Sequence, residues 1–561
     1  VGVLDPPGLP LAFADARYVR MVNGESPDTN WNVFVSGEGV ADSNLADMVV
    51  AGETKTALDA VYAPVSLSAR VADIAPDGGV RAVGKGDLLA SVKDFGAIGD
   101  GITDDAPAFV AAFNSGLPLY VPRGDYRLAS TITRNFSGLH MVGQSGARVF
   151  SDTVDQLFRF SSTDGVHIEN ISFECAVADA ANSNYGLLSS TSSLKNILLY
   201  RCVFTAANRN TNGVKFIADN LAELSVENVF ARECVFRNIG RMGMEIQDHS
   251  VDRTIVRVKN VGVIDCAFQD CGTLSTGIDL SFSGHLCGAV ARGNTLIRSA
   301  TIGVEFAGDH EMPVAVGNTF SSMGPSCNAI SFTNNYNSNQ VIGAVIEGNR
   351  SIDRSGSGSR LWYLYNARLS RNYFKFASGA MVLRSCVRTV AYGETYDSSG
   401  AYALFIEGTS TDNVFERCEL RTGTGAFSIF RVNGADSVRN YVVRSNLIRS
   451  VGVTFDQINS STQNAIIQCD HGSTRWQPVK TITIADADKT INVVEADSEA
   501  LIFSGTLTAA RTVTLQNAKR AYRLKNNTAQ QVSVTTGGTA VAIAAGATKI
   551  VYVEGTTITE V

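Results

Sequence analysis

This 561-residue chain lacks an excess of positive charge: 47 lysines and arginines against 54 acids leave a formal net charge of −7. That excludes the basic footprint of a nucleic-acid binder. It also means that an acidic ligand must be held by local contacts. No run of eighteen apolar residues occurs, so no membrane-spanning helix is expected. The start, Val1-Gly2-Val3-Leu4-Asp5-Pro6-Pro7, has no basic n-region, no long apolar stretch and no initiator Met. A processed or trimmed start without a Sec signal is therefore expected. The ten cysteines show no Cys-x-x-Cys spacing. Cys202, Cys234, Cys266 and Cys418 each stand two residues before Phe or Leu, and read as inward core thiols of a protein folded in a reducing cytosol. Proline is nearly absent from the middle: only Pro313 and Pro325 lie between Arg123 and Gln477, as expected where backbone N–H groups pair strands.

Glycine, by contrast, is plentiful, with 51 residues. A Gly-rich, weakly charged composition suits short strands and tight turns, not helical bundles. Residues 1–90 read as a separate N-terminal head or neck, with a short helix expected near Thr54 to Tyr62 and a flexible approach marked by Gly78, Gly79, Gly84 and Gly86. From Leu139 to Ile448 an irregular repeat runs on, the mark of a solenoid. Its units open with Cys202-Val203-Phe204, Cys234-Val235-Phe236, Cys266-Ala267-Phe268, Asn294-Thr295-Leu296 and Asn318-Thr319-Phe320. Nine to eleven residues later come Gly213-Val214-Lys215-Phe216, Gly243-Met244-Glu245-Ile246, Gly277-Ile278-Asp279-Leu280, Gly303-Val304-Glu305-Phe306 and Ala329-Ile330-Ser331-Phe332. Strand alternation then turns 215, 245, 279, 305 and 331 outward, one per coil, at spacings of 30, 34, 26 and 26.

Ahead of the repeat stands Val92-Lys93-Asp94-Phe95-Gly96-Ala97-Ile98-Gly99-Asp100-Gly101, then Thr103-Asp104-Asp105. A helix from Ala106 to Phe113, capped by Asp104 or Asp105, leads into Leu119-Tyr120-Val121-Pro122-Arg123-Gly124-Asp125-Tyr126. This block of about 35 residues resembles the opening motif of the pectate-lyase-like superfamily. The resemblance implies a mainly β fold, a right-handed parallel β-helix over residues 91–477 whose capping helix plugs the open end. It does not fix a reaction. From Pro478 the strictly alternating segments at 481–484, 490–494, 512–515 and 532–535 read as a small antiparallel β domain over 478–561. It resembles the β-sandwich caps of phage tail proteins. Taken together, the chain is similar to bacteriophage tailspikes with capsule or O-antigen depolymerase activity. That resemblance implies a homotrimer made in the host cytoplasm and acting outside the cell. It implies attachment to phage tail or adaptor proteins through the N-terminal region, trimerisation or sugar contact by the C-terminal domain, and no nucleic-acid or membrane partner.

Rungs of a parallel coil lie about 4.8 Å apart, so Glu245, Asp279 and Glu305 are expected to form a column of three carboxylates. Neighbours would stand about 5 Å apart and the outer pair about 10 Å, which reaches either retaining or inverting glycosidase geometry. Crowding should raise at least one of their pKa values, as a general acid requires. Glu245 and Glu305 are the expected acid–base pair, with Asp279 tuning them. Lys215 lies one coil before. His249, His285 and His310 follow the acids and are expected in the turns after the strands, as bases or sugar hydrogen-bonders. Trp362 outward, or Tyr363 in the rival register, is the candidate wall of a sugar subsite. No compact ligand spacing points to a metal, and no cofactor is expected. Two rivals remain: a polysaccharide lyase on a uronate-containing capsule, using Lys215, Arg241 or a histidine, and a glycan-binding adhesin that does not cut.

Overall fold

The computed structural model describes residues 89–561, apart from 178–181, 207–209, 219–223, 251–254, 275, 326, 334–339, 352–357, 377–380, 400–401, 424–427, 434–436, 438, 449–453, 459–463, 472–478, 492–495, 516–519 and 555. The head region over residues 1–90, with the helix expected at Thr54 to Tyr62, lies outside the described residues save for its last two positions.

The coil begins where the opening motif places it. A helix spans Ala106–Asn114 with Pro107 in its first turn. Asp104 Oδ1 caps it by accepting from Ala106 N at 3.1 Å, and it also accepts from Ala129 N at 2.9 Å. Asp105 turns the other way and accepts from Ile98 N at 2.7 Å and Gly99 N at 3.2 Å, tying the loop to the helix. The inner face of the helix is the plug. Phe109 and Phe113 are buried against Tyr126, Phe136 and Phe158. Tyr126 is itself anchored through its hydroxyl to Pro122 O at 2.9 Å.

Beyond the plug, coils supply a fifteen-stranded sheet running from Asp100–Asp104 to Asp470–His471 and a twenty-nine-stranded sheet wrapped over two further faces. Pairing is parallel, as in Val203 with Val235 and Val235 with Ala267. The repeating Phe positions explain the register. Phe173, Phe204, Phe236 and Phe268 stack with centroids 5.4, 4.8 and 4.7 Å apart. Phe282, Phe306 and Phe332 form a second stack at 5.4 and 4.7 Å. Such pairs each add about 0.5–1.5 kcal/mol beyond the area they bury.

A polar ladder lines one corner inside. Cys202, Cys234, Cys266 and Cys418 are buried free thiols, as expected from their spacing to Phe or Leu. At Asn294 amides take over: Nδ2 of Asn294, Asn318 and Asn349 each donates to Oδ1 of the next asparagine, at 2.9, 2.8 and 2.9 Å. Asn372 ends the run by donating to the Glu394 carboxylate at 3.0 Å.

The C-terminal segment corrects one expectation. It has its own apolar core, around Ile482, Phe503, Leu524 and Val551, but its sheets are mixed rather than antiparallel. Val479–Thr483, Ala500–Ser504 and Arg520–Asn526 pair in parallel; only Thr548–Glu554 and Thr557–Glu560 join antiparallel. In the second sheet, Lys489–Ile491, Arg511–Leu515 and Val532–Thr535 are parallel and Val541–Ile543 closes antiparallel. Alternation has the same signature in both pairings, so sequence pattern could not tell them apart. The residues expected to extend the 490–494 strand beyond Ile491 lie outside the described residues.

Candidate active site

The outward column is a matter of register. Lys215 pairs with Glu245, Glu245 with Ser281, Ser281 with Glu305, Glu305 with Ser331 and Ser331 with Arg360. Glu245 and Glu305 therefore share one column, and Lys215 stands one rung before, as the alternation requires. Asp279 does not stand with them. It lies two residues before Ser281, level with Gly243 and Gly303. A Cβ at either glycine would run into the rings of Phe268 or Phe320, so this position faces the interior. Asp279 is fully buried, accepts from the Ser299 hydroxyl, and leaves its other oxygen without a hydrogen-bond partner among the described residues. Burial drives its carboxyl well above the usual range, against the Ser299 hydrogen bond, and so favours the neutral form inside the coil.

The physical reason for the misplacement is Gly277. It takes φ +68 at a corner, whereas Gly243 and Gly303 are small residues facing the Phe stack. The repeating unit is a small residue, an apolar one, an outward one and an apolar one. In this rung it reads Asp279-Leu280-Ser281-Phe282, and Phe282 in line with Phe306 is the signal that would have found it.

The two remaining acids occupy opposite surroundings. Glu245 Oε2 meets Lys215 Nζ at 3.0 Å, Arg241 Nη1 at 3.3 Å and Asn212 Nδ2 at 2.7 Å. Burial pulls the Lys215 ammonium below its usual value, and Glu245 offsets part of that. Glu305 has hydroxyl partners instead: Ser281 Oγ donates to Oε2 at 2.7 Å and Thr333 Oγ1 to Oε1 at 3.3 Å. Burial raises its carboxyl above the ordinary range; the two hydroxyls oppose the shift and the charge of Glu245 adds to it. Both acids point away from the core yet are covered, at 4% and 6% exposure. Asn212, Ser281 and Thr333 were missed in the sequence, because no spacing distinguishes a hydroxyl or amide beside an acid from any other polar residue.

The histidines divide. His249 is exposed, one residue past the strand Met244–Asp248, as expected. His285 and His310 are not in turns. The strands Ile278–Arg292 and Ile302–Glu311 continue through them. His285 is partly buried, 3.4 Å from Glu311. His310 is fully buried against the edge of Phe306, and burial lowers its imidazole to about 3, so it contacts no solvent-borne substrate. Trp362 does point outward, on a rung two beyond Glu305, but Arg360 takes the place in the column and Trp362 stands two residues along. Tyr363 is the corner residue, at φ +58. Among the described residues no group of three His, Cys, Asp or Glu is placed to hold a metal ion. Nor, among them, is any helix long and apolar enough to cross a membrane.

With this geometry in place, likenesses to known proteins can be stated. Residues 89–281 match the family described as rhamnogalacturonase A/epimerase, pectate lyase-like, a stretch that contains Glu245 but stops short of Glu305. The chain thus carries a pectate-lyase-like right-handed parallel β-helix. A 42-residue segment is 52% identical to the pre-neck appendage protein of Bacillus phage phi29 and 50% identical to that of Bacillus phage B103. The segment is 8% of this chain and spans only 5% of the length of each of those relatives. The crystal structure of tailspike protein 3 of bacteriophage CBA120 superposes with a TM-score of 0.51 at 14% identity, over 74% of this chain and 70% of that one. At that identity the likeness is one of fold.

Proposed function

We propose that this chain is a phage tailspike depolymerase that hydrolyses glycosidic bonds of a bacterial surface polysaccharide, capsule or O-antigen, with inversion. The observation that carries the reading is the pair Glu245 and Glu305, on one outward column with Ser281 between them, in surroundings of opposite character. Two rungs separate their Cα atoms by about 9.6 Å, and a modest tilt of either side chain brings the carboxyls within the roughly 6.5–9.5 Å of inverting enzymes. With Ser281 on the middle rung the retaining spacing has no second carboxyl. Glu305, raised by burial, holds the proton for the glycosidic oxygen; Glu245, set between Lys215 and Arg241, takes the proton of the attacking water. Coverage of both acids suits a site from which bulk water is excluded.

The shared segment with phage pre-neck appendage proteins supports a place in the virion tail, with tail proteins as partners of the N-terminal region. A homotrimer is supported by a different face. Val314, Val345, Arg368, Val390, Val414 and Tyr441 form an outward column, mostly apolar, on which copies could pack side by side. The test of function is incubation with purified capsular polysaccharides, followed by reducing-end assay and NMR of the first anomer released. Inverted product, abolished by Glu305→Gln, is expected. Retained configuration would overturn the assignment.

One observation favours a lyase as second reading: Lys215, drawn below its usual value, lies with Arg241 around one carboxylate. Lyase action would leave an unsaturated uronate that absorbs in the near ultraviolet, and hydrolysis would not. Binding without any drop in polymer size would instead identify an adhesin.

A further inference from the structure

The column does not stop at the acids. Arg360 pairs with Val382, Val382 with Phe405 and Phe405 with Arg431; alongside, Trp362 pairs with Arg384 and Arg384 with Glu407. Arg360 and Arg384 are exposed, while Trp362, Phe405 and Arg431 are partly so. The Arg384 guanidinium lies 5.2 Å over the Trp362 ring. That of Arg431 lies 4.7 Å from the Tyr402 ring and 5.2 Å from the Phe405 ring, and donates to the Tyr402 hydroxyl.

These three arginines share a face, aromatic neighbours in two cases, and a lack of ion-paired acids. Other guanidiniums of the coil are neutralised across rungs, among them Arg148 with Glu174, Arg298 with Asp270 and Arg439 with Asp412. Arg360, Arg384 and Arg431 have no carboxylate at ion-pair distance among the described residues. Glu407 is the acid beside Arg384, whereas the register neighbours of Arg360 are Ser331 and Val382, and those of Arg431 are Phe405 and Gln457. Arg431 Nε and Trp362 Nε1 also find no acceptor among the described residues. Three cations and two flat rings thus lie on the face that carries the acid pair, with the two unmet donors buried beneath it.

We propose that this strip binds the carboxylate-bearing sugars of an acidic polysaccharide, so that the polymer handled here is anionic. The inference rests on the reading of this face as the one that holds glycan. Guanidinium forks match carboxylates in a bidentate way, and the Trp362 and Phe405 rings support the Arg384 and Arg431 guanidiniums that would present those forks. Arg360 stands two rungs from Glu305, about 10 Å, and Arg431 three rungs further, about 14 Å. A chain laid along the coil axis therefore passes from the acid pair onto the cations. The strip supplies locally the attraction that a net charge of −7 denies at long range.

Affinity electrophoresis of the full chain tests this in gels containing polygalacturonate, alginate, carboxyl-reduced polygalacturonate or dextran. Retardation is expected in the two acidic gels and not in the two neutral ones, weakening with added salt. The surface double variant Arg360→Gln/Arg384→Gln should bind at least about tenfold more weakly, and Arg431→Gln, run separately because that side chain also packs on two rings, should weaken binding further. Glu305→Gln should be retarded like the parent. Equal retardation in dextran, no retardation in either acidic gel, or a double variant that binds normally would overturn the inference. Cleavage of a neutral glycan without acidic binding would sink the strip and leave the acid–base reading standing; acidic binding without cleavage of any polymer would do the reverse.

Discussion

The interior ladder of Asn294, Asn318, Asn349 and Asn372 and the outward column of Lys215, Glu245, Ser281, Glu305, Ser331 and Arg360 are both stacks of polar side chains one rung apart. They differ in how partners are met. In the ladder each amide donates to the next until Asn372 donates to Glu394, so identical residues satisfy one another along the run. In the column no residue type repeats on adjacent rungs, and a serine stands between the two acids. Charge forces this, since like carboxylates on neighbouring rungs cost stability where like amides gain it. A repeated amide therefore marks structure. An acid held between unlike neighbours keeps chemistry in reserve.

The contrast breaks first on activity. Glu305→Gln should lower depolymerisation by roughly two to four orders of magnitude while leaving the denaturation midpoint near that of the parent. Glu245→Gln should lower activity as much but also lower the midpoint, because it leaves the buried Lys215 ammonium without its ion pair. A large loss of stability with activity per folded molecule intact would make the column a second ladder.

Asn349→Ala should do the opposite. Asn349 donates to Asn372 Oδ1 and Ala315 O and accepts from Asn318. Its loss leaves buried groups on both sides unmet, at a cost of roughly 2–3 kcal/mol, readable in chemical denaturation. Activity of the remaining folded fraction should be unchanged.

Glu394 sharpens the comparison, because there the ladder ends on an acid. It is fully buried between Asn372 and the Tyr396 hydroxyl, and burial pushes its carboxyl up to about 8 from an ordinary 4.5. Below pH 4.5 both folded and unfolded chains hold the proton; between 4.5 and 8 only the folded chain does. Stability from this group is therefore complete in acid and falls as pH rises across that window, by about 1.4 kcal/mol per pH unit. Denaturation midpoints measured from pH 5 to 8 should fall, and Glu394→Gln should flatten the slope. An unchanged slope would mean that Glu394 does not hold the proton.

Much of this was legible in the sequence, and the failures share a cause. The opening block, the Phe and Cys positions and the outward Lys215, Glu245 and Glu305 follow from alternation, which every rung repeats. Glycine was the wrong marker of phase, since Gly277 serves a corner and Gly303 serves a packed ring. Turn positions failed for His285 and His310 because the chain bends at Gly284 and Gly308, at φ +108 and +101, without leaving the ladder: Gly284 still pairs with Gly308, His285 with Asp309 and Leu286 with His310. Apart from Arg241, four residues before Glu245, the partners of Glu245 and Glu305 come from other rungs, at separations of 24 to 33 residues that coil insertions make irregular.

Asp279 gives the finest division between the two stacks, because it shares a strand with Ser281 yet faces inward. Asp279→Asn keeps a carbonyl oxygen for the Ser299 hydroxyl and removes the group that can ionise. Because burial raises this carboxyl in the folded chain, its contribution to stability is present in acid and is lost as pH rises. The variant should match the parent near pH 4 and become the more stable of the two toward pH 8. Depolymerisation should stay within about threefold of the parent, since the side chain reaches neither Glu245 nor Glu305. A loss of several orders of magnitude with an intact fold would return Asp279 to the mechanism and show that the interior takes part in proton transfer.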